Sequence, residues 1–166
     1  GETSKTITVS TVNDTTYEPD ETLNVNLPNA SGATIADSQG VGTITENDQS
    51  SLSVSDVTVT EGDDPYAEFA ISLSNTSSID TVVSLALNSG TAIAGTDFAN
   101  SLEFNNAGTW QPITGNLTIA AGQTSINVRT AITDDPHADD NEQFTLVATR
   151  VTGVTTNASA TGTGTI

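Results

Sequence analysis

The sequence predicts an all-β antiparallel sandwich preceded by half of a second one, and three observations lead there. The composition is β-branched, with 30 Thr, 13 Val, 11 Ile and 9 Leu among 166 residues, which favours strands. Apolar residues alternate with polar ones in short runs separated by turn residues at intervals of roughly 8–16, the rhythm of a sandwich, and no helical period competes with them. The chain also repeats itself. Gly1-Glu-Thr-Ser with Ile7-Thr-Val9 recurs as Gly122-Gln-Thr-Ser with Ile126-Asn-Val128, and Val12-Asn13-Asp14 recurs as Ile132-Thr133-Asp134. Glu18-x-x-Glu21-x-Leu23-x-Val25 recurs as Asp139-x-x-Glu142-x-Phe144-x-Leu146, and Gly40-Val-Gly-Thr-Ile44 as Gly162-Thr-Gly-Thr-Ile166. The offset stays between 119 and 122 residues, which is one module length.

Residues 1–48 therefore read as the C-terminal half of one module and residues 51–166 as nearly all of the next. The polar run Glu46–Ser50 between them is too short to act as a flexible tether. The N-terminal Gly-Glu-Thr-Ser-Lys has no signal-peptide pattern and reads as a start inside a domain. In the fuller module, Leu52, Val54, Val57 and Val59 suggest one strand broken by a bulge near Ser55-Asp56. Further strands follow at Phe69-Ile71-Leu73, Val83-Leu85-Leu87, Leu102-Phe104, Leu117-Ile119, Ile126-Val128 and Phe144-Leu146-Ala148. Residues 101–116 look like an additional hairpin, with Trp110 in its loop as either a core plug or a recognition device.

Charge narrows the function. There are 21 Asp and Glu against 3 Lys and Arg, a net charge of −18. Such a field repels phosphate backbones and anionic lipid, so nucleic-acid and membrane-surface partners are excluded, and cations are attracted. No run approaches the roughly 20 apolar residues of a membrane span. With no Cys and a single His137, disulfides, thiolate sites and two-histidine zinc sites are excluded. No Gly-x-Ser-x-Gly elbow is present, and His137 lies in an acidic loop without a nucleophile beside it, so no enzyme is expected. The Asn-x-Ser/Thr sequons, Asn75 and Asn157 among them, are expected by chance in so Thr- and Ser-rich a chain.

The carboxylates cluster where strands end: Glu61 with Asp63 and Asp64, then Asp97, then Asp134, Asp135, Asp139, Asp140 and Glu142. If these loops share one pole, several carboxylates converge with no cation among them. Two of them about 4 Å apart repel by several kcal/mol at an effective dielectric near 20. A cluster of hard oxygen ligands favours Ca²⁺, with its 6–8 oxygens, over the more exacting Mg²⁺. A solvated acidic rim is the alternative.

These residues carry a family resemblance. Val57-x-Val-x-Glu61-Gly62, Gly95-Thr-Asp97-Phe98, Ala121-Gly122-Gln-Thr, and Ile132-x-Asp134-Asp135 followed by Asp139-x-x-Glu142-x-Phe144 resemble the Calx-β domain, over essentially residues 51–166. Gly1 to Asp48 resembles the second half of another. The resemblance implies an immunoglobulin-like two-sheet sandwich that binds Ca²⁺ at one end, as in the regulatory domains of sodium/calcium exchangers. It implies Glu61, Asp97, Asp134, Asp135, Asp139 and Glu142 as ligands, with Asp14, Glu18, Glu21 and Asp48 in the first half-module. The closing acidic segment, Glu46-Asn47-Asp48 in the first half-module, has no counterpart after Ile166, and Asn13 stands where an Asp is common.

Tandem modules of this kind, Thr- and Asp-rich and without Cys, resemble the repeats of large bacterial surface adhesins of the RTX type. The resemblance implies a non-enzymatic, extracellular, cell-surface calcium-binding segment, rigidified by Ca²⁺ against its neighbouring modules and acting as an extender. The alternatives are an adhesin module that holds a peptide or glycan through the 101–116 hairpin, and a calcium sensor domain.

Overall fold

The structure, a computed structural model, describes residues 1–135 and 141–166. Among them no helix forms. The first strands are β1 (Glu21–Asn26) and β2 (Gln39–Ile44), an antiparallel hairpin with Glu21 opposite Ile44. Then follow β3 (Leu52–Val54), β4 (Val57–Thr58), β5 (Tyr66–Leu73) and β6 (Thr81–Ser89). The hairpin β7 (Glu103–Asn106) and β8 (Thr109–Pro112) precedes β9 (Leu117–Ile119) and β10 (Ser125–Ala131). The chain ends with β11 (Gln143–Thr152) and β12 (Ser159–Thr165).

From residue 51 onward the strands form two five-stranded sheets, β3-β5-β10-β7-β8 and β4-β12-β11-β6-β9. All pairings are antiparallel except β4 with β12, which is parallel. The break at Ser55-Asp56 is more than a bulge: it carries the strand from one sheet to the other, because β3 pairs with β5 while β4 pairs with β12. Gly162 permits the crossing, since a Cβ there would stand 2.2 Å from the Ser55 carbonyl oxygen.

The alternation read in the sequence fills the space between the sheets. Ala67, Phe69, Ile71 and Leu73 of β5 and Val128 of β10 point inward from one sheet. Phe144, Leu146 and Ala148 of β11, Val83 of β6, and Leu117 and Ile119 of β9 meet them from the other. Each large side chain buried this way contributes about 1.5–3 kcal/mol. Phe98, from the loop after β6, caps one end by stacking on Phe144 with ring centroids 4.3 Å apart, while Phe69 meets Phe144 edge-on at 5.9 Å.

Residues 1–50 are organised differently. The repeat aligns Ile7-Thr-Val9 with β10, yet no strand forms there, and Ile7 and Val9 are 65% and 54% exposed. In the fuller module β10 is held on both sides, by β5 and β7; residues 7–9 have no such neighbours. What is ordered docks instead. Tyr17 is buried and bridges in parallel to Ser77, its N–H donating to the Thr76 carbonyl (2.9 Å) and its carbonyl accepting from Ser78 N–H (2.8 Å). The Asn75 amide nitrogen donates to the carbonyls of Thr15 (3.1 Å) and Asp48 (2.6 Å), so one side chain grips the chain on both sides of the β1–β2 hairpin.

Candidate metal centre

Two acidic poles are present. The first lies where residues 12–21 meet residues 44–48, at the edge that faces the second module. A cleft of about 60 Å³ there is lined by Asp14, Glu18, Glu21, Glu46 and Asp48, together with Asn13 and Asn47. All four residues singled out in this half of the sequence line it, and so does Glu46, which was not among them. The hairpin explains the gathering: pairing Glu21 with Ile44 brings the start of β1 beside the residues that follow β2. Glu46 holds the cleft together. Its carboxylate accepts the N–H of Glu18 (2.5 Å) and the N–H of Asp48, and its own N–H donates to Asp20 Oδ1 (2.8 Å). Asp14 Oδ1 accepts Thr16 N–H at 2.7 Å, closing the local turn.

The second pole is made by the 60–65 turn, the end of the strand run through residue 132, and the loop after β6. Glu61 Oε1 accepts Asp135 N–H at 2.7 Å, and the Asp134 carboxylate stands over Gly62, whose φ of +79° no β-branched residue would adopt comfortably. Gly62, Asp63, Asp64, Pro65, Ile132 and Asp134 line a groove of about 290 Å³. Asp97 reaches this pole through its backbone, its carbonyl accepting Thr133 N–H at 2.9 Å. Its carboxylate is turned into its own loop: it is buried, and Oδ2 accepts Ile93 N–H at 2.6 Å. Glu142 is fixed by a backbone pair with Ile166, 3.1 and 2.9 Å, the equivalent of Glu21 opposite Ile44. Asp139 lies outside the described residues.

Among the described residues no three acidic or histidine side chains stand at metal-holding distance. The donor chemistry of the first cleft nevertheless fits Ca²⁺. Its lining offers oxygen donors, the carboxylates with the amide oxygens of Asn13 and Asn47 and the hydroxyls of Thr16 and Thr45, with no His, Cys, Lys or Arg among them. The second pole offers carboxylate oxygens too, from Asp63, Asp64 and Asp134 along its groove.

Trp110 belongs to neither pole. It stands in strand β8 rather than in a loop, and Arg129 lies between it and Tyr66, the guanidinium carbon 4.1 Å from the Trp110 ring and 3.6 Å from the Tyr66 ring. Arg129 Nε donates to Glu103 Oε2 at 2.9 Å. The tryptophan therefore covers a side chain of its own sheet.

Known proteins resemble this chain in sequence and in structure. The model of the Calx-beta domain matches twice, over residues 1–50 and residues 43–164. Among solved structures, CBD12 from CALX1.2 is 22% identical over 68% of this chain and 44% of that chain, with a TM-score of 0.49. The Calx CBD1 domain in its apo form is also 22% identical, over 68% of this chain and 95% of that chain, TM-score 0.49. The N-terminal domain of PorA is 14% identical over 70% of this chain and 88% of that chain, TM-score 0.38. This chain thus spans less than half the length of the CALX1.2 structure it resembles. No curated protein matches it. With both of its parts matched by one family model, the chain belongs to the Calx-beta domain family.

Proposed function

We propose that the chain is a calcium-binding extender segment of an extracellular bacterial adhesin, in which Ca²⁺ stiffens the junction between successive modules. Calx-beta domains are non-catalytic calcium-binding modules. The observation that carries the reading for this chain is the cleft of Asp14, Glu18, Glu21, Glu46 and Asp48, which sits at the junction itself. The backbone beside it, Thr15 and Asp48, is what the second module holds through Asn75. These five residues would hold the ion, with Glu61, Asp134, Asp135, Asp139 and Glu142 as candidates at the second pole and Asp97 placed to tie its loop there. A bound Ca²⁺ supplies positive charge that no side chain of the cleft provides. The residues 1–48 and 51–166 would then be a half-module and a nearly complete module of one array, displayed at the cell surface.

Thermal unfolding tests the metal reading. A ligand that binds only the folded state stabilises it by RT ln(1 + [L]/Kd). With Kd on the order of 10⁻⁴–10⁻³ M, the range of extracellular calcium modules, ~10 mM Ca²⁺ adds about 1.4–2.7 kcal/mol. The melting temperature should rise by several degrees over that in EDTA. Superimposable curves in EDTA and Ca²⁺ would defeat the reading, and a Kd near ~1 µM would favour a sensor over an extender.

A further inference from the structure

The strands through which the chain enters and leaves the second module lie side by side and run in the same direction. At one pole Ser50 and Thr155 form a parallel bridge, and Thr156 N–H donates to the Ser50 carbonyl at 2.8 Å. One step on, the Asn157 side chain replaces a rung of the ladder: Oδ1 accepts Leu52 N–H (2.8 Å) and Nδ2 donates to the Leu52 carbonyl (2.9 Å). Where the strand changes sheets, Asp56 Oδ1 accepts Thr163 N–H at 2.7 Å. At the far pole β4 pairs with β12, and Val59 N–H donates to the Thr165 carbonyl at 2.9 Å. The contact runs over residues 50–59, about 30 Å of extended chain.

We propose that this paired run is a tensile clamp, through which the module resists force applied along the chain. Tension entering at Ser50 and leaving at Ile166 points along both strands in opposite senses. The hydrogen bonds lie across that direction, so they are loaded together and must yield together. Pulling two points at one pole would instead open the bonds one after another. The flanking pairs, β3 against β5 and β12 against β11, are sheared by the same tension rather than peeled. A plain ladder would lose its rungs where β3 gives way to β4. Asp56 supplies a side-chain bond at that break and Asn157 supplies two more at Leu52, where β3 begins, which gives two otherwise unremarkable polar residues a role the calcium reading does not need.

Forced unfolding is governed by the unfolding rate along the pulled direction, so single-molecule stretching tests the clamp. The full chain is stretched in EDTA, so that the outcome is independent of metal binding. One attachment pair is Gly1 and Ile166. The other is Gly1 and a single cysteine from Gln123→Cys, usable because the chain has no Cys of its own. Gln123 is exposed and follows Gly122, whose N–H bonds to Ser77 at the Ser50 pole. At equal loading rate the first geometry should require at least about twice the force of the second. Asp56→Ala, at an exposed position that leaves the core intact, should lower the force in the first geometry and leave the second unchanged, while Asp56→Asn, which keeps an acceptor oxygen, should restore it. Equal forces in the two geometries, or no effect of Asp56→Ala, would overturn the proposal.

Discussion

Gly164 and Gly42 occupy equivalent places in the two parts of the chain, and replacing each by alanine should have very different consequences. Gly164 lies directly across the ladder from Phe144, and Gly42 directly across from Leu23. A Cβ at residue 164 would stand 2.4 Å from Phe144 Cε1 and Cζ, whereas one at residue 42 would stand 3.3 Å from Leu23 Cγ. Phe144 has nowhere to go: it is fully buried, stacked on Phe98 and met edge-on by Phe69. Overfilling such a site costs about 1–3 kcal/mol. Disturbing two aromatic pairs, each contributing about 0.5–1.5 kcal/mol, adds to that. Alanine in a strand returns about 0.5–1 kcal/mol relative to glycine. The net loss for Gly164→Ala is about 2 kcal/mol, or a melting temperature lower by roughly 6–10 °C for a module of this size. Leu23 is half-buried and free to turn, so Gly42→Ala should stay within about 0.5 kcal/mol of the parent. Calorimetric unfolding of the two variants beside the parent measures both. Equal losses, or a neutral Gly164→Ala, would refute the claim that the hairpin β1–β2 lacks the packing its counterpart has.

Two further outcomes concern the poles and the sheet surface. Glu46→Gln removes a charge from the first cleft while keeping an acceptor for the Glu18 or Asp48 N–H, and because calcium affinity follows ligand charge, it should weaken binding about tenfold in calorimetric titration; unchanged affinity would remove Glu46 from the site. Arg129→Ala takes away the cation between Tyr66 and Trp110 and the stem that both rings cover, so stability should fall by about 1–2 kcal/mol and the emission of the sole tryptophan should shift to the red; an unshifted spectrum would mean that Trp110 packs independently of it.

Strands were legible in the sequence where alternation reports a buried face, as in Phe69-Ile71-Leu73 and Phe144-Leu146-Ala148. The exchange of sheets at Ser55-Asp56 was not, because a bulge and a crossing break the alternation in the same way; only the partner strands tell them apart. The repeat pointed to a strand at Ile7–Val9, and it fails to form because a strand depends on neighbours that similarity at one segment does not supply. In the first cleft, Asp14, Glu18, Glu21 and Asp48 were found through the family pattern. Glu46 sat in the same acidic run as Asp48, yet its central place comes from two backbone N–H groups that only the hairpin brings together. Asp97 was legible as part of its loop, while the direction of its carboxylate, inward to Ile93, depends on local turn geometry. Asn75 and Asn157 announced themselves only as sequons, because a neutral amide that bonds to backbone leaves no mark in composition or charge.

If calcium braces the joint as proposed, the grip of Asn75 on Thr15 and Asp48 is what holds the two parts of the chain together when calcium is scarce. An amide carries no charge, so its bonds to two carbonyls are not screened by salt and do not titrate as the medium acidifies. The carboxylates beside it carry charge, so their interactions are screened by salt. The joint therefore has two components of different character: a permanent pivot, present in any medium where the module is folded, and an acidic brace around it that follows the ionic conditions. Losing the brace would loosen the angle between the parts without letting them separate, so that tightening again is a short local rearrangement instead of a search for a lost partner.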